Sequence, residues 1–160
     1  MTTVDFYFDI MCPWAYQTSK WIRTVTTQRD LTVTWRFFSL EEVNREEGKK
    51  HPWERSWSYG WSLLRIAAFL RRGPDGNDAV DRFYATAGRA LHEEGRKVHT
   101  PDGAAAALEA AGLDPAAAAA AIADEPLTTM CWPTTSKRSP WAGSGCQPWS
   151  WTGPPSCSGR

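Results

Sequence analysis

Hydrophobic and polar positions divide the chain into stretches of different period. Residues 4–9 alternate around Val4, Phe6 and Phe8, the signature of a short strand with a buried face. From residue 13 to about 29 the period lengthens. Trp14, Trp21, Ile22 and Val25 recur at three- and four-residue steps and predict a helix that Asp30 ends. Residues 31–38 alternate again and are rich in β-branched and aromatic types, a second strand. A strand, a helix and a strand in so short a span imply a right-handed crossover and parallel pairing.

The next stretch is helical in pattern. Residues 41–50 are charge-rich and read as a solvated loop or helix start with no binding role. Residues 52–72 read as one helix, with Trp53, Trp57, Trp61, Leu64 and Ala68 in a stripe that serves the core. Gly73-Pro74 stops it. Asn77 or Asp78 caps the following helix, which turns Val80, Phe83, Tyr84, Ala87 and Leu91 inward and ends before Gly95. Thr100-Pro101-Asp102 and Asp114-Pro115 open two more, each with proline in the first turn, and the alanine runs at 104–107 and 116–121 favour helix. Three units result: a strand–helix–strand unit at 1–40, a helical insertion at 41–124 and a tail at 125–160.

Composition sets bounds on function. A chain of 160 residues is long enough for one domain with its own core. Eighteen Lys and Arg balance 18 Asp and Glu, so nothing favours nucleic acid or an anionic membrane as a partner. No run is long and apolar enough to span a bilayer. The residues after Met1 lack the basic and apolar regions of a signal peptide, so a cytoplasmic location is expected, where thiols stay reduced. His51, His92 and His99 have no zinc spacing with a cysteine; surface or structural roles are expected for them, and no metal. There is no Gly-rich phosphate loop and no G-x-S-x-G.

The chemistry concentrates at Asp9-Ile10-Met11-Cys12-Pro13-Trp14-Ala15-Tyr16, where the first strand runs into the first helix. Pro13 suits the first helical position, which places Cys12 at the helix N-terminus. Unpaired N–H groups and the helix dipole there favour a thiolate, the reactive form of cysteine. A free cysteine is also a common buried small hydrophobe, and an inert Cys12 is the competing reading. The stretch VDFYFDIMCPWAYQTSKWI resembles the N-terminus of the DsbA-like thioredoxin superfamily. The resemblance is strongest to its actinobacterial branch of mycothiol-dependent nitroreductases, and weaker to 2-hydroxychromene-2-carboxylate isomerases and kappa-class glutathione transferases. It implies an α/β, thioredoxin-like fold with an inserted helical subdomain. It also implies a thiol-dependent oxidoreductase with Cys12 as nucleophile, and a thiol pocket formed by Pro13, Trp14 and Tyr16. The implied cosubstrate is mycothiol or another low-molecular-weight thiol, with no tightly bound cofactor. The implied partners are a small-molecule thiol or disulfide and, in the intact family, a second copy of the chain. Much of the superfamily carries C-P-W-C, whereas Ala15 stands at the second cysteine position here, so no C-x-x-C disulfide can close. Two further readings follow: a thiol-cofactor-dependent isomerase or transferase, and a non-catalytic thioredoxin-fold binding protein.

The tail breaks the pattern. Residues 128–160 contain no Leu, Ile, Val, Phe, Tyr, Asp or Glu, yet hold Cys131, Cys146 and Cys157 and four of the ten tryptophans. Such a segment supplies neither an alternating strand nor an amphipathic helix. GC-rich DNA translated in the wrong frame gives this mixture. If the codons begin one base earlier, Met130-Cys131-Trp132-Pro133 must read Val-Leu-Ala, and Trp151-Thr152 must span an Asp codon. The remaining bases allow a Gly-Val-Pro-Thr segment, which resembles the family's cis-proline loop facing the cysteine. The expectation is a frameshift near residues 125–128, loss of the C-terminal half of the sheet, and a product that is inactive or poorly folded. The three tail cysteines receive no role.

Overall fold

The computed structural model describes residues 2–127. Within them the chain runs β1 (Thr2–Phe8), α1 (Pro13–Thr26), β2 (Leu31–Phe37), α2 (Leu40–Val43), a 3₁₀ turn (Pro52–Glu54), α3 (Tyr59–Arg71), α4 (Gly76–His92), α5 (Pro101–Ala110) and α6 (Ala117–Ala123). This is a thioredoxin-like α/β arrangement with its helical insertion after β2. The expected loss of the rest of the sheet, the altered frame and the tail cysteines lie outside the described residues.

β1 and β2 pair in parallel from Thr2↔Leu31 to Phe8↔Phe37, with α1 as the crossover. The alternation read from sequence is what buries Phe8, Val33, Trp35 and Phe37. Phe8 stacks on Tyr84 of α4 at 4.2 Å, and Trp35 meets Tyr84 edge-on at 5.5 Å. Such aromatic pairs add about 0.5–1.5 kcal/mol each beyond area burial. α4 therefore covers the sheet with the Val80, Phe83, Tyr84 and Ala87 stripe that its sequence predicts.

The recurring apolar positions of α1 do not all turn inward. Tyr16, Ser19 and Ile22 face inward, while Trp14 and Trp21 are exposed. Trp14 lies two residues, about 200°, around the helix from Tyr16, and Trp21 falls back on the same azimuth as Trp14. The helix also ends at Thr26, short of Arg29. The single helix expected over 52–72 is a 3₁₀ turn and a separate α3. Ser58 separates them in extended conformation; its N–H donates to Ser62 Oγ at 2.9 Å, and its hydroxyl donates to the Pro52 carbonyl at 2.8 Å. Trp53 and Trp57 pack on the core from outside the helix. From Gly60 through Ala68 every residue of α3 is buried, because α2, α4 and α6 surround it. Buried Arg65 donates to the carbonyls of Ile122 and Asp124 at 3.0 and 2.9 Å, which holds the C-terminus of α6 to α3.

Two polar segments do more than their sequence suggests. Glu41 sits in what reads as a solvated charge run, yet its Oε2 accepts the N–H groups of Gly60 and Trp61 at 3.2 and 3.3 Å. It satisfies orphan donors at the start of α3. Asn77, a candidate cap, lies inside α4, which begins at Gly76. Its side chain instead completes the outer edge of β2: Oδ1 accepts the Trp35 N–H at 3.0 Å and Nδ2 donates to the Val33 carbonyl at 2.8 Å. Arg71 of α3 donates to the Trp35 carbonyl beside it. The α5 start follows its sequence reading, with Thr100 Oγ1 accepting the Gly103 N–H at 3.1 Å.

Asn77→Ala strips two backbone groups of their partners at a part-buried edge. The expected cost is about 1–3 kcal/mol, read as a lower urea midpoint at unchanged slope. Asn77→Asp, which keeps an acceptor for Trp35, falls between the two.

Candidate functional site

The turn between β1 and α1 carries the thiol. Cys12 is the N-cap of α1 with φ −86° and ψ 110°, and Pro13 occupies the first turn. The Cys12 Sγ accepts a hydrogen bond from the Ala15 N–H at 3.4 Å, and the Cys12 carbonyl accepts from Tyr16 at 3.0 Å. An extended cap residue followed by proline is the local reason: the chain must leave the strand direction before the first helical bond, and proline gives up no donor there. Cys12 is half-buried, Pro13 is exposed, and Trp14 is 81% exposed.

Tyr16 is the third residue of the thiol pocket that the resemblance implies. It is buried between α1 and α4, stacked on His92 at 5.2 Å, with its hydroxyl donating to Glu93 Oε1 at 2.8 Å. Gly88 makes room for it, since a Cβ there would come within 2.7 Å of Tyr16 Cε2. Lys20 pairs with the same Glu93 at 2.7 Å.

Two residues with no assigned place beside the thiol hold the turn: Asp9, and His92, for which the sequence gives a surface or structural role. Asp9 is 2% exposed, and its carboxylate accepts the Met11 N–H at 2.9 Å and the Leu40 N–H at 2.8 Å. Its carbonyl accepts the Cys12 N–H at 3.0 Å. His92, at the end of α4, places Nε2 2.8 Å from the Ile10 carbonyl. A carbonyl only accepts, so this nitrogen carries the proton. An acid closing an apolar run just before Cys-Pro was the one signal available for Asp9. Nothing local marks His92, which lies 82 residues from Ile10.

Burial pushes the Asp9 carboxyl up to about 6; its two N–H partners oppose that and nearby Glu41 adds to it. Among the described residues, no cluster of three or more His, Cys, Asp or Glu could hold a metal ion. No helix there is long and apolar enough to cross a membrane.

The Rv2466c-like family, described as mycothiol-dependent nitroreductase Rv2466c, matches residues 11–132. The chain is also similar to the "Uncharacterized protein Rv2286c" of Mycobacterium tuberculosis (strain ATCC 25618 / H37Rv), with 56% identity over 128 residues. That alignment covers 80% of this chain and 54% of the relative, so the chain spans about half the length of the protein it matches.

Asp9 makes stability depend on pH with a defined sign. Its carboxyl keeps the proton to about 6 when folded, whereas an unfolded Asp releases it near 3.8. The folded chain therefore binds more protons in that window, and stability falls as pH rises through it, by up to about 3 kcal/mol. Urea midpoints measured across this range should decline for the parent chain relative to those of Asp9→Asn.

Proposed function

This chain belongs to the Rv2466c-like family, and we propose that residues 2–127 are the thiol-bearing part of a mycothiol-dependent oxidoreductase in which Cys12 is the nucleophile. The observation that carries this reading is Cys12, a half-buried residue at the start of α1 whose sulfur receives the Ala15 N–H. A donor aimed at sulfur at a helix N-terminus favours negative charge there. Pro13 and Trp14 line the approach, and Tyr16 holds α1 against α4 behind it.

With Ala15 in the second position the chemistry is that of one thiol. The Cys12 thiolate attacks a sulfur of a mixed disulfide; the old S–S bond breaks, its other half leaves as a thiolate and takes up a proton, and a new disulfide joins Cys12 to the retained half. A mycothiol thiolate then attacks that bond, forms a disulfide with the retained half, and returns Cys12 as thiolate. The substrate is a small disulfide, one half of which leaves as thiol while mycothiol takes up the other. The reaction belongs to a reducing cytoplasm.

Turnover on this reading needs the sequence that 128–160 would encode in the neighbouring frame. The family match ends at residue 132, beside the break in composition at Thr128, which supports it. The resemblance to isomerases and kappa-class transferases supports a second reading, a thiol-cofactor-dependent isomerase or transferase, and Ala15 supports a third, a non-catalytic thioredoxin-fold binding protein, because half of a redox pair is absent.

The gene should first be resequenced from the codon of Pro115 past the stop and read in all three frames. A neighbouring frame continuing with Gly-Val-Pro-Thr is the expected result; its absence removes the frame reading. The frame-restored chain should then exchange mycothiol mixed disulfides, and Cys12→Ser should lower that rate about a thousandfold or more. The 160-residue chain should show no turnover. Full activity in Cys12→Ser would instead select the isomerase or transferase reading.

A further inference from the structure

We propose that Asp9 is a positioning residue for Cys12: its buried carboxylate holds the 9–12 turn that carries the thiol, and its protonation loosens that hold. The inference rests on the reading of Cys12 as the reacting group. Asp9 grips this turn from both ends. Its side chain takes the Met11 N–H and its carbonyl takes the Cys12 N–H, at 2.9 and 3.0 Å. The second carboxylate oxygen takes the Leu40 N–H at 2.8 Å, which anchors the turn to the start of α2. On the remaining side α3 closes in at Gly60, where an added Cβ would lie 3.2 and 3.3 Å from the two carboxylate oxygens. Both oxygens are thus engaged as acceptors, in a space that excludes water.

An ionised carboxylate is acceptor-only, and a protonated one carries an O–H. Adding the proton sets a donor against an N–H and weakens one of the two charge-assisted bonds. The charged and titratable groups that bear on Asp9 come from each packed element. Glu41 on α2 favours the proton, Tyr84 on α4 is pushed up mainly by its own burial with Cys12 and Asp9 adding to it, and Cys12 heads α1. α3 contributes the uncharged Gly60. His92 holds the neighbouring Ile10 carbonyl and keeps its donor in either charge state. The change at the turn is therefore assigned to Asp9, whose carboxyl titrates at about 6.

The test uses the full 160-residue chain and needs no turnover. Amide proton resonances of Met11 and Leu40 are followed against pH. In parallel, the iodoacetamide alkylation rate at Cys12 is read by peptide mass spectrometry, which separates it from the tail cysteines. Both amides should titrate together near the Asp9 midpoint. The ratio of parent to Asp9→Asn alkylation rates should rise about threefold or more through the same midpoint. Amides that do not titrate overturn the proposal. So does a flat or falling ratio beside titrating amides, because Asp9 would then be structural only. If Asp9→Asn does not fold, Glu41→Gln keeps an acceptor for α3 and removes the neighbouring charge. It should lower the midpoint in both readouts equally, and a midpoint that moves only in the amides overturns the inference. Retained turnover in Cys12→Ser would sink the proposed function and leave this result standing.

Discussion

A carboxylate removed from water has to be compensated where it stands, and Asp9 is the point from which this fold radiates. Its partners come from the turn after β1 and from the first residue of α2, and α3 approaches it so closely that a Cβ at Gly60 would crowd the carboxylate. A single side chain thereby fixes where the strand stops, where the thiol turns and where the insertion begins. An unpaired acid in this position would be untenable, because desolvation of an isolated charge costs far more than the fold can supply. The compensation is only partial, as the upward shift of its carboxyl records.

The same economy recurs through the helical insertion. Backbone groups that regular structure leaves open are taken up by side chains from distant elements. Glu41 serves the start of α3, Arg65 the end of α6, Asn77 and Arg71 the edge of β2, and His92 the loop at Ile10. These bonds tie helices and sheet into one body without a long strand ladder. They explain how a two-stranded sheet, marginal in isolation, is held among the described residues.

Local periodicity made the order of elements legible. Alternation at 31–37 set β2, and the stripe of Val80, Phe83, Tyr84 and Ala87 set the inner face of α4. Thr100-Pro101 set the start of α5 because capping chemistry is contained in four consecutive residues. Cys12 was legible for the same reason. What could not be read depends on contacts far apart in the chain. Asn77 meets Trp35 across 42 residues, and no pattern within α4 announces a side chain that substitutes for a strand. Trp14 and Trp21 recur in the period that predicts α1, yet both are exposed, because the buried face is the one carrying Tyr16, Ser19 and Ile22. Ser58 broke an apparent helix through bonds to Pro52 and Ser62, which override propensity.

The closure of β2 by Asn77 and Arg71 gives the sheet a direction of growth. The outward Val33 carbonyl and both backbone groups of Trp35 are already engaged, and among the described residues no strand lies on the far side of β1. A third strand, from later sequence or from another molecule, can therefore enlist only along β1. That makes β1 a middle strand in any larger sheet built on this one. The turn bearing Cys12, at the C-terminal end of that strand, then sits in the interior of the assembled edge rather than at its corner.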